Sequence, residues 1–551
     1  MKRTCLLMTS LCLLALPACG DQETSSTTGT TPSAGGGGAG GDAGSGGAGA
    51  GGAGGEGGGA PVLPKVDLAW EPCPLLSDGT GPMAECARPD VPLRATDPTG
   101  KTIPYFVKRY SKPGTTPVTQ LWMLTGGPGA SGIIYEKQAE LLAEQKEGLE
   151  IYIPDHRGTG DSSRLGCPVQ EADGSAQGVT ISNGEWPKCV QAVQEQWGED
   201  LDAFNVTNAA FDLGVLVESA RREEARVFVY GGSYGTFWGN RYLQLFPAQA
   251  DGVILDAIAP PAATLARQDI DADEAAAELF QSCADDAACG PKLGGDPRAF
   301  GVALYDKLDT GHCPQIQTLG PGRILLRRVF GQMMMSWNAR RLIPATLARA
   351  DRCNAEDIAA IGTLFQYYFL TPSPVTDLLL REWSWVLTTH ITFSEIWGTP
   401  EITPEQMAEW RDAAVVSRDV TERFTAPLKV MPRYPQDQYY QGFSTTERPL
   451  LMLQGTWDPA TRIGPAEALK QAYTAPNHHW VEIPRGAHGA LFSVPTVDGA
   501  SCGNSIFLSF LDDPESPPDT SCLSNVAPFT FDGTPQLNQL LFGTEDAWGG
   551  L

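Results

Sequence analysis

The chain has 551 residues, of which 42% are hydrophobic and 9% aromatic, so it can bury a large core. Its formal net charge of −26 at pH 7 argues against a nucleic-acid partner, because phosphate binding requires a basic face. We therefore expect one large or two ordinary globular domains that bind no nucleic acid.

The amino-terminal residues predict export. Basic residues precede a short apolar stretch that ends in LPAC at positions 16–19, the order of features found in a signal peptide. LPAC resembles a bacterial lipobox, so residues 1–18 are expected to be removed and Cys19 to receive the lipid. Pro17 is unusual in a lipobox, and ordinary signal cleavage is the alternative. The expected location is the bacterial cell envelope, or the medium if the lipobox is not used.

A tether is expected next. Residues 19–60 are polar and then almost entirely Gly, Ala and Ser, a composition that cannot bury a core. Some 40 flexible residues typically reach about 35 Å. No later run approaches the ~20 apolar residues that a spanning helix needs, so membrane contact is expected only through the lipid at Cys19.

The cysteines predict disulfides. Ten of the 13 cysteines follow Cys19, and an even number in an exported chain favours disulfides over metal binding. No CxxC pair suggests zinc, so no metal is expected, and no cofactor either. Pairing between sequence neighbours is the expected connectivity, although the sequence alone leaves other pairings open. The expected pairs are Cys73–Cys86, Cys167–Cys189, Cys283–Cys289, Cys313–Cys353 and Cys502–Cys522.

From Pro61 onward, apolar strands alternate with helices. TQLWMLTGG (119–127), RVFVYGG (226–232) and PLLMLQG (449–455) are apolar without alternation, whereas NAAFDLGVLVESARR (208–222) has helical spacing. Strands of this kind are buried on both faces, as in parallel sheets covered by helices. The pattern predicts an α/β fold with a mostly parallel sheet.

A helical insertion interrupts the predicted sheet. Roughly 190 residues separate two of its strands, where a crossover needs only a dozen or so. Segments such as ADEAAAELFQSC (272–283) and VTDLLLREWSWVLTTH (375–390) have amphipathic helical spacing. We expect a cap inserted before the strand that ends in QGTWD. The expected boundaries are 61–258 and 446–551 for the core and 259–445 for the cap.

A serine lies where a strand meets a helix. RVFVYGGSYGTFWGN (226–240) matches the nucleophile elbow G-x-S-x-G, in which a sharp turn exposes the serine. Glycines next to the serine remove collisions in that turn. The start of the helix also presents N–H groups that stabilise negative charge. The motif is short, but the flanking strand and helix favour Ser233 as a nucleophile.

A serine nucleophile needs a base that is oriented by an acid, in the chain order Ser, Asp or Glu, His. His488 lies in a glycine-flanked loop after the last predicted strand, whereas His312 and His390 fall in the cap. His488 is therefore the expected base. Asp458 and Asp256 both follow strands; Asp458 is preferred as the acid, and Asp256 is expected to brace the start of the cap.

An oxyanion hole requires two preorganised N–H donors. The backbone of Tyr234, the residue after the serine, should supply one. The loop LTGGPGASG (124–132) should supply the other. Pro128 has no N–H, so Gly127 is the first choice and Gly126 the second.

Five segments together, TGGPGASG, DHRGTGDS, GGSYGT, GTWDPAT and GAHG, resemble one family. The chain is similar to the α/β-hydrolase serine peptidases typified by prolyl aminopeptidase and, more closely, the secreted tripeptidyl aminopeptidases, over about residues 68–525. Thr125 stands where prolyl aminopeptidases usually have His. The resemblance implies an α/β-hydrolase fold, a triad of Ser233, Asp458 and His488, and peptide substrates with a free N-terminus.

An enzyme of this kind must also hold the substrate ammonium group, which calls for a carboxylate in the cap. Glu395 in HITFSEIWG and Glu382 in LREWSW are the candidates, and each could instead be a surface or packing residue. The aromatic segments WSWVL and LFQYYFL could line substrate pockets, although core packing is the usual role of such residues.

Two other functions stay open. A carboxylesterase could use the same triad, because Ser-His-Asp chemistry acts on esters and amides alike and a fold does not fix a substrate. A surface binding module on an inactive hydrolase fold is the third possibility. It has no need of a serine, a histidine and an acid together, which argues against it.

Overall fold

A nine-stranded sheet organises the chain in the computed structural model, which describes residues 63–319, 322–370, 374–398 and 401–550. The predicted signal peptide, Cys19 and the tether lie outside the described residues. The strands in chain order are β1 (Glu71–Pro74), β2 (Met83–Ala87), β3 (Asp90–Arg94), β4 (Asp97–Pro104), β5 (Val107–Ser111), β6 (Thr119–Leu124), β7 (Leu149–Pro154), β8 (Arg226–Gly232), β9 (Gly252–Asp256), β10 (Leu450–Gly455) and β11 (His478–Ile483).

The strand order in the large sheet is β1-β2-β5-β7-β6-β8-β9-β10-β11. From β7 to β11 every neighbouring pair is parallel, which confirms the predicted parallel sheet. Strands β1, β2 and β5 add an antiparallel edge, and β3 pairs with β4 in a separate hairpin. The sequence did not predict these edge strands, because they are short and β1 is mostly exposed.

Helices occupy the connections and the insertion. In chain order they are α1 (Ile133–Gln145), α2 (Trp186–Trp197), α3 (Val206–Ala220), α4 (Tyr234–Leu245), α5 (Gln268–Asp285), α6 (Pro297–Asp309), α7 (Gly322–Met334), α8 (Trp337–Arg340), α9 (Ile343–Arg352), α10 (Ala355–Phe365), α11 (Pro374–Glu382), α12 (Trp385–Ile391), α13 (Pro404–Ala413), α14 (Val420–Leu428), α15 (Ile463–Ala472), α16 (Ala490–Ser493), α17 (Cys502–Asp512) and α18 (Pro535–Phe542). Helices α5 to α14 lie between β9 and β10, where the cap was predicted.

Both faces of the sheet are buried, which explains its unbroken apolar strands. Leu121 and Met123 of β6 belong to one core cluster with residues of α1 and α17. On the other face, α4 comes so near that a Cβ added at Gly239 would contact Leu255 of β9. Alternate side chains of the same strands therefore serve two apolar layers.

One predicted helix is divided in two. The amphipathic run 375–390 forms α11 and α12, which are separated at Trp383 and Ser384. The Ser384 hydroxyl accepts the N–H of Leu387 at 2.9 Å and so caps α12. The backbone N–H of Ser384 donates to the carbonyl of Gly129 at 2.9 Å. These local bonds outweigh continuation of the helix.

The carboxyl-terminal residues pack on the cap, although the sequence placed them with the core. Helix α18 lies against α10. The guanidinium of Arg349 donates to the carbonyl of Ala547 at 2.8 Å, and that of Arg352 to Trp548 at 2.7 Å. Arg349 is buried, and a buried cation requires such acceptors.

All five predicted disulfides are present. Each closes a local loop, with sequence separations from 6 to 40 residues. Among the described residues, none of the helices has the length and apolar composition needed to cross a bilayer.

The disulfides differ in the length of chain they close, and this predicts unequal stabilisation. Replacing Cys313 and Cys353, which are 40 residues apart, with alanine should lower the free energy of unfolding by about 4 kcal/mol. The same change at Cys283 and Cys289, 6 residues apart, should cost about 2 kcal/mol through loop entropy. Denaturant unfolding of the two variants measures the difference, and a larger loss from the shorter loop would contradict the entropic explanation.

Candidate active site

Ser233 lies between the end of β8 and the start of α4 with φ 57° and ψ −124°. This backbone conformation costs a non-glycine residue about 1–3 kcal/mol, so the surroundings must impose it. The N–H of Ser233 donates to the carbonyl of Asp256 at 2.9 Å. The Ser233 carbonyl accepts the N–H of Thr236 at 2.9 Å and its hydroxyl at 2.6 Å. Bonds on both sides therefore fix the turn that presents the serine.

The glycines around Ser233 provide clearance, as the sequence predicted. A Cβ on Gly231 would overlap the carbonyl oxygen of Gly235, and a Cβ on Gly235 would overlap that of Leu124. At Gly232 it would meet the hydroxyl of Tyr135. Two of these neighbours are backbone atoms, which cannot move without disturbing α4 or the sheet.

His488 and Asp458, the predicted base and acid, are in direct contact. Nδ1 of His488 lies 2.9 Å from Oδ2 and 3.1 Å from Oδ1 of Asp458. The carboxylate also accepts the N–H groups of Ala460 and Thr461, at 2.8 and 2.9 Å, and the Thr461 hydroxyl at 2.8 Å. Burial alone would raise the pKa of Asp458, but His488 and these hydrogen bonds outweigh burial and lower it. An ionised Asp458 therefore orients the imidazole.

Asp256, the alternative acid, has a different set of partners. Its carboxylate accepts the N–H groups of Ala490 at 2.7 Å and Leu491 at 2.9 Å, and the hydroxyl of Tyr230 at 2.9 Å. Ala490 and Leu491 begin α16, two residues after His488. Asp256 thus braces the loop that carries His488, and the expectation that it braces the cap is replaced by this role.

Ser233 faces a cleft between the sheet and the cap, with two adjoining chambers. The larger one, which we call the His488 chamber, is lined by Ser233, His488, Trp383, Trp385 and other mainly apolar residues. Cap aromatics from the segment WSWVL therefore do reach this cleft.

We call the smaller one the Asp271 chamber. Its lining includes Asp271, Tyr234 and Thr461, together with Ser233 and Gly127, which line both chambers. The serine therefore stands at the junction of the two chambers.

The predicted oxyanion donors border the same cleft. Tyr234 is the first residue of α4, so its N–H has no acceptor within the helix. Gly126 and Gly127 both line the His488 chamber. A Cβ added at Gly126 would lie 3.0 Å from the Cβ of Ser233, so this loop passes close to the nucleophile.

The cap holds the loop that carries these glycines. The hydroxyl of Thr388, in α12, donates to the carbonyl of Pro128 at 2.6 Å. Together with the bond from Ser384 to Gly129, it ties the oxyanion loop to the cap.

Sequence reasoning overlooked the polar residues that fix the motifs in place. The ring of Tyr234 is held by His156 of DHRGTGDS, whose Nε2 lies 3.2 Å from the Tyr234 hydroxyl. Nδ1 of His156 lies 2.7 Å from a carbonyl, so it carries the proton and Nε2 accepts. Burial lowers the pKa of His156 to about 3, which keeps it neutral. Thr236 lies in the motif GGSYGT and Thr461 in GTWDPAT. Their places in the motifs of Ser233 and Asp458 could therefore have identified them as residues that hold these two residues in place.

The two predicted ammonium ligands lie elsewhere. Glu395 is buried, and its carboxylate accepts hydrogen bonds from Arg241 and Tyr434, both at 3.1 Å. Glu382 lines a separate cleft beside Lys108 and Asp155. Neither borders the two chambers that meet at Ser233. No group of His, Cys, Asp and Glu side chains suited to a metal ion occurs among the residues that the structure describes.

Mutation can distinguish the role of Asp458 from that of Asp256. Asp458→Asn should lower kcat by about 10⁴-fold, because it disturbs the tautomer and charge that the base requires. Asp256→Asn leaves a buried N–H without its acceptor and should lower the free energy of unfolding by about 1–3 kcal/mol, with a smaller effect on kcat. Ester turnover and thermal unfolding measure both. If Asp256→Asn had the larger loss of kcat at unchanged stability, Asp458 would not be the acid.

Two family models match the chain. Residues 121–288 match a model described as the alpha/beta hydrolase fold, and residues 416–522 match a model described as a TAP-like protein. The first segment contains Ser233, the predicted nucleophile, and the second contains Asp458 and His488, the predicted acid and base. Among solved structures, Rv0554 from Mycobacterium tuberculosis is 13% identical, covers 74% of this chain and 93% of its own, and has a TM-score of only 0.30.

Curated relatives are peptidases by name. The tripeptidyl aminopeptidase of Streptomyces lividans is 27% identical over 218 residues, which is 36% of this chain and 39% of the relative. The serine protease Hip1 of Mycobacterium tuberculosis is 26% identical over 263 residues, or 43% of this chain and 49% of the relative. The matches thus span less than half the length of these relatives. The chain therefore has the α/β-hydrolase fold, and its sequence is similar to serine peptidases that include the tripeptidyl aminopeptidases.

Proposed function

We propose that the protein is a serine aminopeptidase that releases amino-terminal residues or short peptides through an acyl-enzyme. The observation that carries the proposal is the hydrogen bond between Asp458 and His488, because His488 borders the same cleft as Ser233 in its strained turn. The relatives named as tripeptidyl aminopeptidases support the choice of a peptide substrate.

In the proposed mechanism, Ser233 Oγ attacks the scissile carbonyl while His488 accepts its proton. The tetrahedral oxyanion is stabilised by the N–H groups of Gly127 and Tyr234. His488, held by ionised Asp458, then protonates the leaving amine, and an ester between Ser233 and the amino-terminal segment remains. Water, activated by His488, hydrolyses this ester and restores the serine.

We also propose that the mature enzyme is an exported protein tethered by a lipid at Cys19. The five disulfides support an oxidising compartment, because such bonds persist outside the cytosol. The segment 19–60 would let the catalytic part work at a distance from the membrane surface.

A matched substrate set tests the proposed function. The purified mature protein and Ser233→Ala are assayed on chromogenic peptides with free or acetylated N-termini and on a simple ester. The wild type should prefer the free N-terminus, and the variant should lose about 10⁶-fold in kcat, as expected when a triad nucleophile is removed.

Each contrary result has a definite meaning. Ester turnover without peptide cleavage would replace the aminopeptidase by an esterase. Peptide cleavage that survives in a folded Ser233→Ala variant would refute the triad itself.

A further inference from the structure

Asp271 is a carboxylate on the wall of the Ser233 cleft. It lies in the first turn of α5 and lines the Asp271 chamber, which also contains Ser233, Gly127 and Tyr234. Among the described residues that line the two chambers, Asp271 is the one acidic side chain. An exposed fraction of 14% leaves its side chain accessible from the chamber but largely shielded from bulk water.

Asp271 belongs to a charged group that is rich in carboxylates. Asp271, Glu274 and Glu278 follow one another along one face of α5. Arg267 Nε lies 3.4 Å from Asp271, and its Nη2 lies 3.6 Å from Glu274. Arg462 is bonded to Glu278 at 2.8 Å. Within this group, three carboxylates face two guanidinium groups, so one more cation would balance the charge.

The existing partner of Asp271 leaves room for that cation. The side chain of Arg267 is 39% exposed and divides its contacts between Asp271 and Glu274. An ion pair with such a solvated guanidinium is weak. Burial raises the pKa of Asp271 to about 6, even though Arg267 acts to lower it. A desolvated cation inside the chamber would therefore interact with Asp271 more strongly than Arg267 does.

The position of the base indicates which chamber receives the amino-terminal residues. His488 must protonate the leaving amine, and it lines the larger chamber together with Gly489. The leaving segment therefore departs through the His488 chamber. Among the described residues of its lining, the His488 chamber has no carboxylate to hold an ammonium group. The Asp271 chamber has Asp271, and the guanidinium of Arg462 in the same lining is bonded to Glu278 at 2.8 Å. The acyl segment, with its free amino end, therefore occupies the Asp271 chamber.

We propose that Asp271 binds the α-ammonium group of the peptide substrate and so makes the enzyme specific for free N-termini. This inference rests on the proposed aminopeptidase function. It assigns to Asp271 the role that the sequence suggested for Glu395 or Glu382. Glu395 already neutralises the buried Arg241, and Glu382 faces another cleft.

Asp271→Asn and the matched control Glu274→Gln test the proposal. Both changes remove one carboxylate that contacts Arg267, but only Asp271 lines the cleft. With a free-amine peptide anilide, Asp271→Asn should lower kcat/KM by about 10- to 150-fold, mainly through KM, as expected for the loss of a hydrogen bond to a charged group. The loss should be confined to the free-amine substrate and absent with the acetylated peptide. Glu274→Gln should stay within about threefold of wild type on both substrates.

The outcomes separate the two proposals. A wild type without preference for the free amine refutes the aminopeptidase function. A wild type with that preference and an Asp271→Asn variant that retains it refutes only the role of Asp271, as does an equal loss in Glu274→Gln. If Asp271→Asn also loses ester turnover, the variant Asp271→Glu decides between the explanations. Normal ester turnover together with a preference for the free amine supports the proposal. Normal ester turnover without that preference contradicts it.

Discussion

Asp256 accepts hydrogen bonds from both halves of the candidate active site. Its backbone carbonyl accepts the N–H of Ser233 and so holds the strained turn of the nucleophile. Its carboxylate accepts the N–H groups of Ala490 and Leu491 and so holds the loop that carries His488. Asp256 ends the interior strand β9, which pairs with β8 on one side and β10 on the other. The register of three parallel strands therefore positions Ser233 and the loop of His488 at the same edge of the sheet.

The cap contributes to the catalytic geometry as well as to the walls of the cleft. Ser384 and Thr388 bond the carbonyls of Gly129 and Pro128, and the break between α11 and α12 that permits this also brings Trp383 to the cleft. A local interruption of one amphipathic helix thus couples the insertion to the oxyanion loop. Displacement of the cap would disturb the oxyanion donors together with the substrate pockets.

Much of this could be predicted from sequence because the signals are local. The strands β6, β8, β9 and β10 are mostly apolar runs, the elbow is one motif, and each disulfide joins neighbouring cysteines. The role of Asp256 was not predicted, because its bonds to Ala490 and Leu491 connect residues more than 200 positions apart. Glu395 was a plausible ammonium ligand until its pairing with Arg241, 154 residues away, became visible. Asp271 was overlooked because no motif marks a carboxylate that shares a chamber with Ser233 only in the folded chain.

The central claim is that Ser233 forms an ester with the amino-terminal part of a peptide. Mass spectrometry of the protein, quenched in acid during turnover of a peptide with a free N-terminus, tests this most directly. The account predicts an adduct on the proteolytic fragment that contains Ser233, with the mass of the released amino-terminal acyl group, and none in Ser233→Ala. An adduct on another residue would contradict this mechanism. So would a wild type that cleaves the peptide without ever carrying an adduct, although a simple ester does acylate Ser233 in the same experiment.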